Sequence, residues 1–155
     1  MWFSAADQRL TTNRWDRQRL LNQAIEEQSP AGANEGQRGR ALQRWYRREL
    51  KELVAPLIQK WECLLSVKAA AWGIKRMKTR WGTCNADARR IWLNLELVKK
   101  PVQCVEYVIV HELAHLYERR HNEHFIALLN EHLPRWSVYR RELNSTPLAH
   151  ESWRY

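Results

Sequence analysis

The segment from His111 to His121 concentrates side chains that bind metal ions and transfer protons. His111 and His115 are four residues apart, so on a helix both imidazoles project from one face, one turn apart, and can reach a single tetrahedral ion. Glu112 stands beside the first histidine and can reach a metal-bound water rather than the metal. In His-Glu-x-x-His hydrolases this carboxylate takes the proton of the attacking water and passes it to the leaving group. The segment therefore predicts the active site of a zinc-dependent hydrolase of the metallopeptidase kind.

The third metal ligand is less closely specified by the sequence than the first two. His121 follows His115 by six residues, which is the ligand spacing of the metzincin signature, but that signature has a glycine where this chain has Glu118. The turn after the helix must then be made by residues 118–120, with a different local backbone. Three other residues compete for the position: His124, Glu131 and Glu142. His124 could equally donate a hydrogen bond to the substrate in the transition state.

A set of three imidazoles favours zinc, although cobalt, nickel and manganese accept the same ligand type. The remaining histidines are interpreted differently, His132 as a helix-surface residue and His150 as part of the C-terminal tail.

The elements that must position these residues can be placed from periodicity. A helix is predicted from Ala41 to Trp61, with Pro56 expected to kink or split it. Residues 66–98 favour two or three short antiparallel strands. A largely apolar helix then starts at Pro101 and carries the two histidines, and its composition predicts that it is buried. A short helix is capped by Asn122 and stops before Pro134, and a last one carries Trp136, Tyr139 and Leu143. The predicted fold class is α+β.

The N-terminal residues differ in character from the remainder of the chain. Residues 1–27 show weak helical periodicity, and residues 28–40 are rich in glycine and favour a linker or an exposed loop. We therefore expect an irregular or helical segment over residues 1–40 and the hydrolase domain over residues 41–155.

The charge and the cysteine content indicate which kinds of partner the protein could bind and in which cellular compartment we expect it. The net charge is +9, and the densest basic cluster is Lys75, Arg76, Lys78 and Arg80, followed by Arg89 and Arg90. Such a cluster favours anionic partners such as nucleotides or nucleic acid, or is simply a solvated face. The three cysteines show no disulfide pattern, and the start of the chain does not have the character of a signal peptide, so a cytoplasmic location is expected. No run is apolar for long enough to cross a membrane.

Two of the cysteines require separate interpretation. Cys104 falls on the helix predicted to be buried and is interpreted as a small core residue. Cys84 follows Trp-Gly-Thr at the end of a predicted strand, where it could face the site or be an inert packed thiol.

In chain order the sequence carries Lys-Thr-Arg-Trp-Gly-Thr-Cys at 78–84, Ile-Trp-Leu-Asn at 91–94, Tyr-Val-Ile-Val-His-Glu-Leu-Ala-His-Leu at 107–116, and His121-Asn122 with Phe125. From about Ala41 onward this succession resembles the YgjP-like metallopeptidase family, which is related to the SprT-like and WLM metalloproteases.

The resemblance implies that His111, His115 and His121 bind zinc and that Glu112 is the catalytic base. It also implies a small zincin-like α+β fold, with a short sheet packed on the helix that carries the motif. One strand would lie along the cleft, where an extended peptide could pair with it. Further candidates for contact with the substrate or with the ligand imidazoles are His124, Arg80, Trp81, Cys84 and Asn94.

Three functions compete at this stage. The first is a zinc metallopeptidase acting on peptides or proteins. The second is a phosphohydrolase that uses the same metal site, with the basic cluster binding the phosphates of a nucleoside triphosphate. The third is a DNA-associated protease or binding module, for which the chain has basic residues but no recognisable DNA-binding motif.

Overall fold

The computed structural model describes residues 23, 26–27 and 31–145. Its elements are α1 (Glu35–Leu64), β1 (Ala71–Lys75), β2 (Gly82–Asn85), β3 (Arg90–Asn94), a 3-10 helix (Leu95–Lys99), α2 (Val102–Ala114), α3 (Glu123–His132) and α4 (Trp136–Asn144). The predicted α+β class is confirmed. His150 and most of the weak helix predicted over residues 1–27 lie outside the described residues.

Helix α1 begins earlier than the glycine content of its first turn suggests. Asn34 accepts a hydrogen bond from the Gln37 amide at 2.9 Å, and the Gln37 side chain accepts one from the Asn34 amide at 2.9 Å. This reciprocal capping box starts the helix at Glu35, so the prediction of a loop to residue 40 is wrong for its last six residues. The helix also continues through Pro56 and is not split there. Clustering of contacts divides the chain into two units, residues 1–49 and 50–155, and the division falls within the range of this helix.

The sheet has the strand order β1-β3-β2 and is mixed. β2 and β3 form an antiparallel hairpin, whereas β1 pairs with β3 in parallel, Ala71 opposite Arg90. The prediction of a wholly antiparallel sheet is therefore wrong for β1. β1 starts at Ala71 and β2 at Gly82. The connection over residues 76–81 crosses the end of β3 instead of turning back beside β1, so β1 and β2 are not neighbours in the sheet.

Asn94 holds that connection in place at the end of β3. Its side-chain amide donates to the carbonyls of Met77 at 2.9 Å and Arg80 at 2.7 Å, and its Oδ1 accepts from the Glu96 amide at 3.1 Å. The side chain is fully buried, and all three bonds go to backbone. The Asn94 side chain thus supplies hydrogen bonds to backbone groups of the loop that do not pair with a strand, and it fixes the loop just before β2 begins.

Helix α2 is the central element, and ten of its thirteen residues are buried. Ile91 and Leu93 of β3 lie in the same core, as does Ile74 of β1. At the start of α2, the Glu106 carboxylate accepts hydrogen bonds from the Trp61 indole and the Lys60 ammonium, each at 2.7 Å. The burial that was predicted for this helix is confirmed.

Two short helices follow α2 where the sequence predicts them. Asn122 caps α3 by accepting from the Phe125 amide at 3.0 Å, and α3 ends two residues before Pro134. Helix α4 begins at Trp136 and buries Leu143. None of the helices in the described part of the chain is long and apolar enough to cross a membrane.

Candidate metal centre

Helix α2 carries the first two histidines of the site on one face. His111 lies in its last turn and is 1 % exposed, and His115 is its C-cap. Their ring centroids are 4.9 Å apart in an edge-on arrangement. The four-residue spacing places both imidazoles on the same face, as the sequence predicts.

His121 joins this pair after a turn that needs no glycine. After the end of helix α2, the Tyr117 and Glu118 amides both donate hydrogen bonds to the Ala114 carbonyl, each at 3.0 Å. The Glu118 side chain then accepts from the Arg120 amide at 3.2 Å. Among the described residues, positive φ angles are confined to Gly32, Ser66 and Arg89. Residues 116–121 thus turn through ordinary conformations, which is why glutamate is tolerated where the metzincin signature has glycine.

The three Nε2 atoms converge on one point. The distances are 3.2 Å between His111 and His115, 3.1 Å between His111 and His121, and 3.0 Å between His115 and His121. Imidazoles that share a tetrahedral zinc at about 2.0–2.1 Å place their nitrogens about 3.3–3.4 Å apart. The observed triangle is close to that size, so these three residues could hold a metal ion.

Phe125 of α3 supports all three rings. Its ring centroid lies 4.9 Å from that of His111, 4.6 Å from that of His115 and 5.0 Å from that of His121. Phe125 is 1 % exposed, so it closes one side of the cluster with an apolar surface. Because the Asn122 cap starts α3, it also positions the Phe125 ring against the three histidines.

Hydrogen bonds on the far side of the rings favour the metal-binding tautomer. His115 Nδ1 lies 2.9 Å from the Glu118 carbonyl, which can only accept, so Nδ1 carries the proton and the Nε2 lone pair points at the cluster. The Tyr107 hydroxyl lies 3.4 Å from His111 Nδ1. Partners of this kind orient imidazole ligands in metal sites.

Burial lowers the pKa values of all three imidazoles, although His121 is the most exposed of them. Burial is the main cause of the lowered pKa of His111, well below the ordinary value, with smaller effects from His115, His121 and Arg140. The pKa values of His115 and His121 are also lowered, again chiefly by burial. Neutral imidazoles present lone pairs near neutral pH, which is the state that binds metal.

Glu112 lies on an adjacent face of α2, under strand β2. Its side chain is almost fully buried. A Cβ atom added to Gly82 would come within 2.8 Å of both Cγ and Oε1 of Glu112, and within 3.0 Å of Val108. The strand backbone therefore passes directly over the carboxylate, and only glycine fits between them.

Two other predicted site residues lie close to Gly82 in the sequence. Cys84 is on β2, and Trp81 is the last residue of the loop before it. Cys84 is half-buried, and burial together with the charge of Glu112 raises its pKa to about 11. Cys84 therefore lies near the carboxylate as a neutral thiol. Trp81 is 1 % exposed, with the Lys100 ammonium 5.2 Å from its ring, and its carbonyl accepts from the Asn94 amide at 2.8 Å.

The remaining predicted residues are not part of the histidine cluster. Arg80 is exposed, and Asn94 makes the three backbone bonds described above. His124 is exposed and lines a separate groove beside Tyr117 and Leu128. Cys104 is fully buried, and burial is the main cause that raises its pKa to about 12, so the prediction of a core residue is confirmed.

Of the four competitors for the third position, the structure brings His121 to the pair. His124 and Glu131 line the other groove, and Glu142 lies near Cys104 on α4. The site also contains residues that the sequence reasoning did not assign. Tyr107 could have been found, because it precedes His111 by four residues and so shares its face. Arg140 of α4, whose charge contributes to the lowered pKa values of His111 and His121, gave no such signal, because nothing in the sequence relates α4 to the histidines.

Three convergent imidazoles on and after a buried helix, with a carboxylate from the same helix under a neighbouring strand, define the zincin class of domain. The chain belongs to the YgjP-like family, because the model of the YgjP-like metallopeptidase domain matches residues 2–146. Membership supports a metal-dependent hydrolase and implies a divalent metal ion. No curated protein and no solved structure gives a significant match to the chain.

Proposed function

We propose that this protein is a zinc peptidase in which Glu112 activates the attacking water beside an ion held by His111, His115 and His121. The observation that carries the proposal is the triangle of Nε2 atoms, 3.0–3.2 Å on each side, next to a buried carboxylate. A zinc ion bound there would act as a Lewis acid and lower the pKa of a bound water to about 7.

The sequence position of Glu112 supports its role as the general base. It follows His111 directly on α2, as the general base follows the first metal ligand in His-Glu-x-x-His hydrolases. It would accept the proton of the bound water and deliver it to the leaving amine. Cys84, the neighbouring thiol, stays protonated near neutral pH because its pKa is about 11, so it does not compete with the histidines as a thiolate.

Family membership supports a peptide as the substrate, because the domain model that matches residues 2–146 is that of a metallopeptidase.

The basic cluster gives less support to a nucleotide substrate. The Lys75 ammonium lies 4.8 Å from the Trp92 ring, and the Arg76 guanidinium is 4.0 Å from the Glu96 carboxylate. Two of its four cations thus have local partners, and we do not propose phosphohydrolysis as the function.

The decisive experiment compares wild type with Glu112→Gln after loading with zinc. We expect the variant to keep its zinc, measured by elemental analysis, and to hydrolyse quenched fluorescent peptides about 10²–10⁴-fold more slowly. His121→Ala should lose the zinc. Glu123→Gln is the matched control, since it makes the same change at an exposed position.

Phosphate release from nucleoside triphosphates is measured on the same proteins. A Glu112→Gln protein that cleaves peptides like wild type contradicts the proposal. Nucleotide turnover that depends on Glu112, with no peptide cleavage, would instead assign the site to phosphohydrolysis.

A further inference from the structure

The three-stranded sheet has a second face, which points away from α2. Gly82 lies against Glu112 of α2 and opposite Leu93, so these strand residues belong to the face toward that helix. Because side chains alternate along a strand, Trp92 points to the other face, together with its partner Gly73 on β1. We call this the outer face, and it contains Gly73, Lys75, Thr83, Arg90 and Trp92.

Trp92 lies at the centre of the outer face. β3 is the middle strand, and Trp92 is the third of its five residues, between Gly73 on β1 and Thr83 on β2. A Cβ atom added to Gly73 would come within 2.5 Å of the six-membered ring of Trp92. The indole therefore extends over β1, into the space that the absent side chain leaves. Trp92 is half-buried, so part of an indole held against the sheet remains accessible to solvent.

The charges on and around the outer face are almost all positive. None of the three strands contains an acidic residue. Lys75 and Arg90 are exposed on the face itself, and the Lys75 ammonium lies 4.8 Å from the centre of the Trp92 ring. Residues 71–94 include six lysines and arginines and one acidic residue, Asp87, which pairs with an arginine of the turn after α2. This excess of positive charge complements an anionic partner.

The basic residues lie at both ends of β3. The end beside the hairpin turn has Arg89 and Arg90. The Arg89 guanidinium donates hydrogen bonds to the Lys68 carbonyl at 2.9 and 2.6 Å, which hold it in place without cancelling its charge. The other end is crossed by the loop of residues 76–81, which carries three more basic residues. The two ends of β3 are about 13 Å apart, at about 3.3 Å per residue. An extended anionic chain on the outer face would therefore meet cations on both sides of Trp92.

We propose that the outer face binds single-stranded nucleic acid, with a base stacked on Trp92 and the flanking phosphates paired with Lys75, Arg89 and Arg90. An aromatic ring within a basic surface is the combination that binds single strands. The bases of a duplex are already stacked on each other, and polyglutamate has no ring to place on the indole. Gly82 meets Glu112 on the opposite face of the sheet, so this interaction does not depend on the proposed hydrolysis.

The first test measures, by fluorescence anisotropy, how the full chain binds a labelled single-stranded oligonucleotide of mixed sequence. Loss of a stacking ring weakens such complexes roughly 5- to 150-fold. We expect a loss of that size in Trp92→Leu and a smaller one in Trp92→Tyr, which keeps a ring. Trp136→Leu is the matched control, because it removes another half-buried tryptophan, on α4, and it should bind like wild type. Urea unfolding of each variant shows which of them are folded.

The salt dependence of binding tests the cations separately. For a single strand, each phosphate contact contributes about −0.7 to the slope of the logarithm of the binding constant against the logarithm of the salt concentration. Arg90→Gln should therefore make this slope shallower by about 0.7. Arg141→Gln, at an exposed position of α4, should leave the slope unchanged. Because Arg90 is exposed, this comparison decides the matter even where Trp92→Leu does not fold.

Several results would overturn the inference. They are an absence of binding by wild type, equal binding by wild type and a folded Trp92→Leu protein, and an unchanged salt slope in Arg90→Gln. Competition by polyglutamate, or by a duplex of the same length, that equals competition by the single strand would overturn it as well. Loss of binding in Glu112→Gln would place the nucleic acid at the metal centre and contradict the assignment to the outer face. If the oligonucleotide binds through Trp92 but wild type cleaves no peptide, the proposed function fails and the outer-face interaction stands.

Discussion

A single methyl group at residue 82 should separate catalysis from metal binding. In Gly82→Ala the new Cβ would lie 2.8 Å from both Cγ and Oε1 of Glu112. Carbon atoms in contact are ordinarily about 3.5–4.0 Å apart, so the carboxylate or the strand must move by about 1 Å. A displacement of that size in a reacting group costs about 10²-fold in rate. We therefore expect kcat/KM for peptide hydrolysis to fall about 100-fold.

Metal binding should survive this change. The Gly82 substitution meets Glu112 and Val108, whereas none of the three imidazoles is among the nearest atoms. Elemental analysis of the zinc-loaded variant should therefore match wild type. Gly73→Ala is the matched control, because its Cβ would come within 2.5 Å of the Trp92 ring, in the same sheet but away from Glu112. It should lower the free energy of unfolding in urea and leave kcat/KM of the folded fraction near wild type. A folded Gly82→Ala protein with wild-type activity would refute the reasoning.

Two further outcomes follow from the histidine cluster. Tyr107→Phe removes the hydroxyl that lies 3.4 Å from His111 Nδ1. Because such a group orients a ligand imidazole, its loss should weaken zinc binding about 10-fold in a chelator competition. Unchanged zinc affinity would show that the contact is incidental. In the metal-free protein, the folded pKa of His111 lies below the ordinary value, so its stabilising effect is complete above about pH 6.5 and is lost as the pH falls toward the folded pKa. The unfolding free energy should fall by up to about 1.4 kcal/mol per pH unit for this group. Urea titrations from about pH 7.5 to 5 should show a slope smaller by that amount in His111→Gln, and an unchanged slope would contradict the assignment.

The chemistry of α2 could be predicted because it depends only on local periodicity. The four-residue spacing of His111 and His115 fixes their common face, and the apolar residues around them predict burial. The Asn122 cap and the stop before Pro134 were predictable for the same reason, since each depends on residues within one turn. His121 was harder, because the glycine expected from the metzincin signature is absent. Residues 116–121 make the turn without a glycine, because the Tyr117 and Glu118 amides donate hydrogen bonds to the Ala114 carbonyl and every φ angle in the segment stays negative.

The sheet and the outer parts of the site depend on contacts between distant residues. Alternation over residues 66–98 predicts strands but says nothing of their direction. β1 pairs with β3 in parallel, and the buried side chain of Asn94 binds the loop that crosses the end of β3. The nearness of Gly82 to Glu112 likewise follows from the packing of β2 on α2, which no local pattern encodes.

These contacts explain how one short helix can carry both the imidazoles and the carboxylate of the candidate site. The face with Tyr107, His111 and His115 meets α4, Phe125 and His121, and the adjacent face with Glu112 meets β2. Burying an imidazole and a carboxylate in an apolar helix costs free energy unless polar or charged partners are supplied. Here each buried polar group faces a different neighbouring element. Strand β2 provides no metal ligand, but its backbone at Gly82 limits where the Glu112 carboxylate can lie relative to the imidazoles.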